Sequence, residues 1–182
     1  MHDHRPPGVS QSVFLVGLMG VGKTTVGRHL ADAFGVPFFD SDQVIEARAG
    51  AEIPWIFDVE GEAGFREREA LVLQELTALP GIVLATGGGA VLRPENRRVL
   101  HDRGVCVYLH GSLDQLTART ARDRRRPLLR NGNPREVLAR LLREREALYR
   151  EVAHHVFVTD RRPARVLADE IKRRVREDEM SR

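Results

Sequence analysis

The sequence predicts a three-layer α/β/α fold around a five-stranded parallel sheet. Short apolar runs rich in branched residues alternate with longer segments whose apolar residues recur every three or four positions. Continuous apolar runs are typical of parallel strands that helices cover on both faces. The length of 182 residues fits one domain with its own core, and neither a repeat nor a linker interrupts it.

The predicted elements alternate regularly along the chain. Strands are predicted at 13–17, 36–40, 82–86, 105–109 and 156–159. Helices are predicted at 23–34, 43–48, 62–79, 94–100, 112–120 and 134–151, and a last helix from Pro163 is expected to pack back on the sheet. Gly35 is the expected stop of the first helix, and Ser112 is the expected N-cap of the fifth.

The domain organisation is simple. Residues 1–12 are expected to form a flexible leader, and residues 13–182 a single domain. The apolar run 13–22 is too short to span a bilayer, and Lys23 interrupts it where a signal-peptide cleavage site would begin. With 42% hydrophobic and 30% charged residues, the composition favours a soluble globular protein over a disordered or membrane chain, so no membrane partner is expected.

The charge and the cysteine content indicate which ligands and which cellular compartment suit this protein. The basic residues exceed the acidic ones by 29 − 26 = 3, and only Lys23 and Lys172 among the basic residues are lysine. An arginine excess is compatible with anionic ligands, with nucleic acid, or with genomic base composition. The single cysteine, Cys106, excludes a disulfide within the chain, is expected in a buried strand, and indicates the reducing cytoplasm.

The strongest motif lies between the first strand and the first helix. Residues 17–24 match G-x-x-x-x-G-K-[ST], the loop whose backbone N–H groups surround nucleotide phosphates. A glycine-rich turn with a chance lysine is the alternative, but the position between strand and helix favours a phosphate site. Lys23 is expected to reach the β- and γ-phosphates, and Thr24 to bind Mg²⁺. The predicted nucleotide contacts here are Gly20, Val21, Gly22, Lys23, Thr24 and Thr25.

Acidic residues and glycines follow the next strands. Asp40 is expected to orient Mg²⁺ through water, because the third strand ends without a carboxylate. Asp42 is a candidate general base, with a helix N-cap as the alternative. Three glycines, 87–89, would let a ligand lie against bare backbone whose N–H groups bind its oxygens. A guanine-reading Asn-Lys-x-Asp does not occur, which favours a small-molecule kinase over a GTPase.

These motifs together resemble the shikimate kinases, P-loop kinases of the nucleoside monophosphate kinase-like fold. The resemblance extends from residue 13 to about residue 163. It rests on the ordered motifs Gly-Leu-Met-Gly-Val-Gly-Lys-Thr-Thr-Val-Gly-Arg, Phe39-Asp-Ser-Asp42, Ile56-Phe57, Gly61-Glu62, Phe65-Arg66 with Glu69, Ala85-Thr-Gly-Gly-Gly-Ala-Val91, Arg126-Pro-Leu-Leu129, and Arg145 with Leu148-Tyr149.

The resemblance implies ATP-dependent phosphorylation of the 3-hydroxyl of shikimate, in the pathway to chorismate and the aromatic amino acids. It implies Mg²⁺ as cofactor, ATP, ADP and shikimate as ligands, a substrate-binding helical region and a mobile lid at about 119–133. A cytoplasmic monomer without a nucleic-acid partner is expected. The implied shikimate contacts are Asp42, Arg66, Gly87, Gly88, Gly89 and Arg145.

The resemblance also implies nucleotide contacts by arginines. Arg126 in the lid would stabilise the transferred phosphoryl group, although Arg124 and Arg125 are adjacent. Arg119 and Arg162 would lie on the adenine side, with Arg161 as a possible substitute. On sequence alone, Arg66, Arg145 and the run 124–126 are equally compatible with ordinary solvated charge.

Two other functions remain open from the residues alone. A gluconate-type or nucleoside monophosphate-type kinase shares the phosphate loop, although only 5% of the chain is aromatic and a nucleobase acceptor would favour stacking partners. A non-catalytic protein that binds nucleic acid through its basic face predicts a steep salt dependence of binding. The acidic residues interspersed in the C-terminal helix argue against a dedicated basic stripe.

Overall fold

A five-stranded, wholly parallel sheet in the order β2-β3-β1-β4-β5 organises the fold, in agreement with the prediction. The computed structural model describes residues 11–121, 127–130, 132–159 and 161–182. The elements are β1 Val13–Val16, α1 Lys23–Phe34, β2 Phe38–Asp40, α2 Ser41–Ala49, α3 Ile53–Leu76, β3 Val83–Ala85, α4 Pro94–Asp102, β4 Val105–His110, α5 Leu113–Thr120, a 3₁₀ turn Pro127–Leu129, α6 Pro134–Val152, β5 His155–Val158 and α7 Ala164–Met180.

The core lies on both faces of the central strands. Every residue of β1 is fully buried, and Val13 lies between Val83 of β3 and Val105 of β4 in the sheet register. Because alternate residues of a strand point to opposite faces, continuous burial of β1 requires packing on both sides of the sheet. The carboxyl ends of β1, β2 and β3 meet at one edge, where parallel α/β folds bind ligands.

The strand β5 differs from the expectation that helices cover both faces. Its exposure alternates, and Val156 and Val158 are 42% and 55% exposed. Among the described residues, this strand lies at the end of the sheet and pairs with β4. The apolar run of β5 therefore belongs to a strand that is covered on one face only. Its composition alone does not distinguish it from a strand that is covered on both faces.

Local signals predicted several helix ends. Gly35 ends α1 in a left-handed conformation with φ 68°. Ser112 caps α5, and its hydroxyl accepts from the Gln115 N–H while the Gln115 side chain accepts from the Ser112 N–H. In α2, however, the N-cap is Asp40, because its carboxylate accepts from the Asp42 and Gln43 N–H groups.

Three further boundaries differ from the prediction. Helix α3 begins nine residues before position 62, at Ile53, and continues through a break at Gly61, where φ is 72°. It ends at Leu76, so Leu79, which was expected on its apolar stripe, lies beyond the helix and is 40% exposed. Ser12, assigned to the leader, is buried and hydrogen-bonds Leu79 and Ile82, so it belongs to the folded domain.

The last helix packs closely against α1. Its apolar stripe buries Leu167, Ile171 and Val175. Lys172 donates from Nζ to the Ala33 carbonyl at 2.7 Å, at the C-terminal end of α1, where a positive charge is favourable. Among the helices of the described residues, none combines the length and apolar character that crossing a bilayer requires.

We expect Gly27→Ala to destabilise the protein by about 1–2 kcal/mol, although alanine is the better helix former. A Cβ at Gly27 in α1 would lie 2.6 Å from Cε2 of Phe38 in β2, so overpacking outweighs the gain in helix propensity. Urea unfolding of the two proteins measures the difference.

The matched background for this prediction is Phe38→Leu, which removes the ring that the new Cβ would meet. In that background Gly27→Ala should be neutral or stabilising, and the two substitutions should show a clear coupling energy. Stabilisation by Gly27→Ala in the wild-type background would contradict the close approach.

Candidate active site

Three adjoining cavities lie along the carboxyl edge of the sheet. The phosphate cavity is lined by Gly20, Gly22, Lys23, Thr24, Thr25, Asp40, Asp42, Thr86, Gly87 and Gly88. The acceptor cavity shares Asp42, Gly87 and Gly88 with it and continues to Arg66, Glu69, Gly89 and Arg145. The side cavity shares Gly22 and Thr25 with the phosphate cavity and reaches Arg119 and Arg162. A ligand chain could therefore extend through all three.

The phosphate loop joins β1 to α1 as the motif predicts. Gly22 caps α1 with a left-handed φ of 100°, a conformation that favours glycine. The first N–H groups of α1 therefore face the phosphate cavity without an intrahelical partner. Lys23 is 8% exposed, and its Nζ donates to the carbonyls of Gly17 at 2.5 Å and Leu18 at 3.1 Å. The ammonium group is thus held over the loop.

Thr24 and Asp40 come together on the wall of the phosphate cavity. The Thr24 hydroxyl donates to Asp40 Oδ2 at 2.7 Å, while Asp40 Oδ1 accepts from the N–H groups that open α2. At the end of β3, Thr86 donates from its hydroxyl to the Leu15 carbonyl at 2.8 Å. The two residues that were expected to serve Mg²⁺, Thr24 and Asp40, are thus in direct contact.

This pair fits Mg²⁺. A hydroxyl and a carboxylate are hard oxygen donors, and Mg²⁺ commonly uses one or two protein oxygens beside substrate phosphates and waters. Within the described ranges, no group of three or more His, Cys, Asp or Glu side chains forms an all-protein metal site. One hydroxyl and one carboxylate suit a cation that takes its other ligands from nucleotide phosphates and waters.

The acceptor cavity has two buried arginines on its floor. Arg66 on α3 and Arg145 on α6 are only 8% and 3% exposed, although both stand among charged residues in the sequence. Arg66 donates from Nη1 to Glu69 Oε1 at 2.9 Å and from Nη2 to Glu62 Oε1 at 3.3 Å. The structure thus brings both predicted carboxylate-binding residues into one cavity with Asp42.

The Glu69 carboxylate offsets part of the positive charge of Arg66 and Arg145. This carboxylate is wholly buried, and burial raises the pKa of Glu69 although the charges of Arg66, Arg145 and Arg93 oppose the rise. Within the part of the chain that is described, Arg66 Nε, Arg145 Nε and Glu69 Oε2 are buried without a hydrogen-bond partner. Buried polar atoms of this kind mark a site where a ligand completes the bonding.

The glycine segment 87–89 serves close packing of side chains. A Cβ at Gly89 would overlap the Arg66 guanidinium, and one at Gly87 would lie 2.7 Å from Asp42 Oδ1. The Gly87 N–H donates to Ser41 Oγ at 3.1 Å, so binding a ligand through this N–H would require an exchange of partners, and the contact stays a prediction. Bare backbone is needed here so that charged side chains can reach the cavity.

Apolar side chains complete the lining of the acceptor cavity. Phe57 and Phe65 pack with their ring centroids 4.9 Å apart, and the Arg66 guanidinium carbon lies 5.1 Å from the centroid of the Phe65 ring. Met19, Ile53 and Pro127 also line the cavity. The cavity therefore combines buried cations and hydrocarbon with the Asp42 carboxylate that it shares with the phosphate cavity. This combination suits a small carboxylic acid that carries hydroxyl groups.

The remaining predicted arginines have different positions. Arg119 donates from Nη1 to the carbonyls of Val21 at 2.7 Å and Gly20 at 3.4 Å, so it lies against the phosphate loop. Arg162 lines the side cavity, donates to the Val158 carbonyl at 3.0 Å and pairs with Glu170, which favours it over Arg161. Arg126 lies outside the described residues.

Two residues of the site belong to the motifs that carry the family resemblance but were given no function of their own in the sequence predictions. Glu69 follows Arg66 by three positions on a helix, and that spacing is a signal for an ion pair. Ser41, which holds Gly87 from 46 residues away, offered no such signal. The contact between Ser41 and Gly87 depends on how the strands are ordered in the sheet.

Comparisons with known proteins agree with this geometry. A family model for shikimate kinase matches residues 19–176. The shikimate kinase of Chromohalobacter salexigens is 57% identical over 165 residues, which are 91% of this chain and 92% of that protein. The shikimate kinase of Pseudomonas syringae pv. tomato is 56% identical over 167 residues, 92% of this chain and 97% of that one.

Comparison with solved structures also finds a shikimate kinase. The shikimate kinase of Acinetobacter baumannii, solved in complex with shikimate, has a TM-score of 0.91 and 50% identity, covering 92% of this chain and 94% of its own. A gluconokinase of Sinorhizobium meliloti has a TM-score of 0.52 and 19% identity, a similarity of fold alone. The match to the family model extends over most of the domain, so the chain belongs to the shikimate kinase family.

Proposed function

We propose that this chain transfers the γ-phosphoryl group of ATP to the 3-hydroxyl of shikimate, giving shikimate 3-phosphate and ADP. The observation that carries the proposal is the acceptor cavity. There Arg66 and Arg145 are buried beside Asp42, and the cavity opens onto the phosphate loop through Gly87 and Gly88. The shikimate complex of the Acinetobacter baumannii enzyme supports the same acceptor.

The phosphate loop is proposed to hold ATP by its backbone and by Lys23. On nucleotide binding, the Lys23 ammonium would exchange the carbonyls of Gly17 and Leu18 for phosphate oxygens. Thr24 and Asp40 are the residues that would hold Mg²⁺, which when bound neutralises phosphate charge. Arg119 and Arg162 are proposed to contact the adenosine side, and Arg126 the transferred phosphoryl group.

Asp42 is proposed to orient and deprotonate the acceptor hydroxyl. Its carboxylate lines both the acceptor cavity and the phosphate cavity, so it can receive the hydroxyl proton next to the attacked phosphorus. The buried arginines would fix the substrate carboxylate at the far end of the ring. Catalysis then rests on positioning and electrostatics, as is usual for phosphoryl transfer.

We further propose a cytoplasmic monomer that does not bind nucleic acid. Arg66 and Arg145 are buried in the acceptor cavity rather than displayed on a basic surface, which supports the expectation that the protein does not bind nucleic acid. Cys106 is buried, and burial raises the pKa of its thiol, which suits an inert structural cysteine.

We expect Asp42→Asn to lower kcat by about 10²–10⁴-fold while ATP still binds, because the amide cannot accept the hydroxyl proton. Coupled ADP release with shikimate measures turnover, and calorimetric titration with ATP measures binding. Gluconate and nucleoside monophosphates serve as acceptor controls in the same assay. Loss of ATP binding together with turnover would contradict the proposed role of Asp42.

We expect Arg66→Ala to raise the KM for shikimate about 10- to 100-fold, the range for losing a charge-assisted hydrogen bond to a carboxylate. The matched control is Arg68→Ala on the same helix. Arg68 pairs with Glu60 at the surface, with oxygens 2.7 and 2.8 Å away, and is outside the acceptor cavity. An unchanged shikimate KM in Arg66→Ala would remove Arg66 from the site.

We expect Asp40→Asn to raise the Mg²⁺ concentration at half-maximal activity about tenfold, because a neutral amide attracts the cation less strongly. The asparagine oxygen can still cap α2, so the melting temperature should change little. Mg²⁺ titration at saturating ATP and shikimate gives the measurement. A wild-type Mg²⁺ requirement in this variant would exclude Asp40 from the metal's surroundings.

A further inference from the structure

Tyr149 connects the floor of the acceptor cavity to its glycine wall. It lies one helical turn after Arg145 on α6 and is completely buried. Its hydroxyl donates to the Gly88 carbonyl at 2.5 Å, a contact between residues 61 positions apart. Since Gly88 lines both the acceptor and the phosphate cavities, this bond acts on the partition between them.

Gly88 has the phosphate loop on one side and Arg145 on another. A Cβ at Gly88 would lie 3.3 Å from the Met19 N atom and 3.5 Å from Arg145 Nη1, which is close to ordinary packing distance. The Gly88 backbone therefore lies between the phosphate loop and the guanidinium that faces the acceptor. A displacement of this carbonyl would change the position of Arg145.

The ring of Tyr149 is itself held in place. It stacks on Tyr108 of β4 with ring centroids 5.1 Å apart and an interplanar angle of 21°. The Tyr108 hydroxyl donates to Glu146 on α6, on the other side of this aromatic pair. The two hydroxyls of the stacked pair thus have different partners, and the structure relates only that of Tyr149 to the acceptor cavity.

The Tyr149 hydroxyl keeps its proton under all physiological conditions. Burial raises the pKa of Tyr149 to about 12, although the charge of the Arg145 guanidinium opposes the rise. The hydroxyl therefore carries the proton that it donates to the Gly88 carbonyl.

We propose that Tyr149 is a positioning residue for the acceptor, whose hydroxyl sets the relative placement of Gly88 and Arg145. The inference rests on the proposed function, because Arg145 is the residue through which it acts. Tyr149 does not line the acceptor cavity and so has no part in the chemical step. Its effect is on shikimate binding rather than on turnover at saturation.

The test is Tyr149→Phe, which keeps the stacked ring and removes the hydroxyl. The shikimate KM should rise about tenfold, the KM for ATP should stay within about twofold, and kcat should change little. This split distinguishes positioning of the acceptor from general loosening of the fold. Kinetics are run well below the melting temperature of the variant, which circular dichroism provides.

The matched control is Tyr108→Phe, which removes the other hydroxyl of the same pair. It should leave the shikimate KM unchanged. A wild-type shikimate KM in Tyr149→Phe, an equal rise in both variants, or an equal rise for ATP and shikimate would each overturn the inference. If the wild-type protein itself shows no shikimate-dependent ADP release, the proposed function fails, whatever the variants do.

Discussion

The interaction on which the site depends is the burial of two arginine side chains, Arg66 and Arg145, beneath the acceptor cavity. Removing a guanidinium group from water is costly unless its charge is balanced and its donors are bonded. Glu69 supplies part of that balance from a fully buried position. The Nε atoms of both arginines still lack a partner within the described residues, so a ligand carboxylate would complete the arrangement.

The packing around these charges follows from the space they need. Gly89 leaves the volume that the Arg66 guanidinium occupies, and Gly87 leaves room for Asp42 and Glu69. Because these glycines have no side chains to pack, hydrogen bonds from residues of other elements hold the backbone of the segment. Ser41 accepts from the Gly87 N–H, and Tyr149 donates to the Gly88 carbonyl. A glycine run that suggests flexibility in a sequence is therefore a closely held wall.

The accuracy of the sequence predictions depended on the range of the interactions involved. Helix ends at Gly35 and Ser112 were predictable because their capping partners lie within four residues. The one-sided cover of β5 was missed, because it depends on the place of that strand at the sheet edge. The early start of α3 was missed because the break at Gly61 interrupts the apolar period. For β5 and for the start of α3, the hydrophobic pattern of the segment did not contain the feature that determines the structure.

The sequence by itself determined the phosphate loop and the family. Lys23, Thr24 and the loop glycines lie within eight consecutive positions, so their geometry follows from a strand, a turn and a helix start. Only the tertiary structure decided which arginines are buried, because Arg66 and Arg145 occupy helix faces that look like ordinary charged surface. Their convergence on Asp42 depends on the order of the strands, which brings Arg145 to Asp42 across 145 − 42 = 103 positions of the sequence.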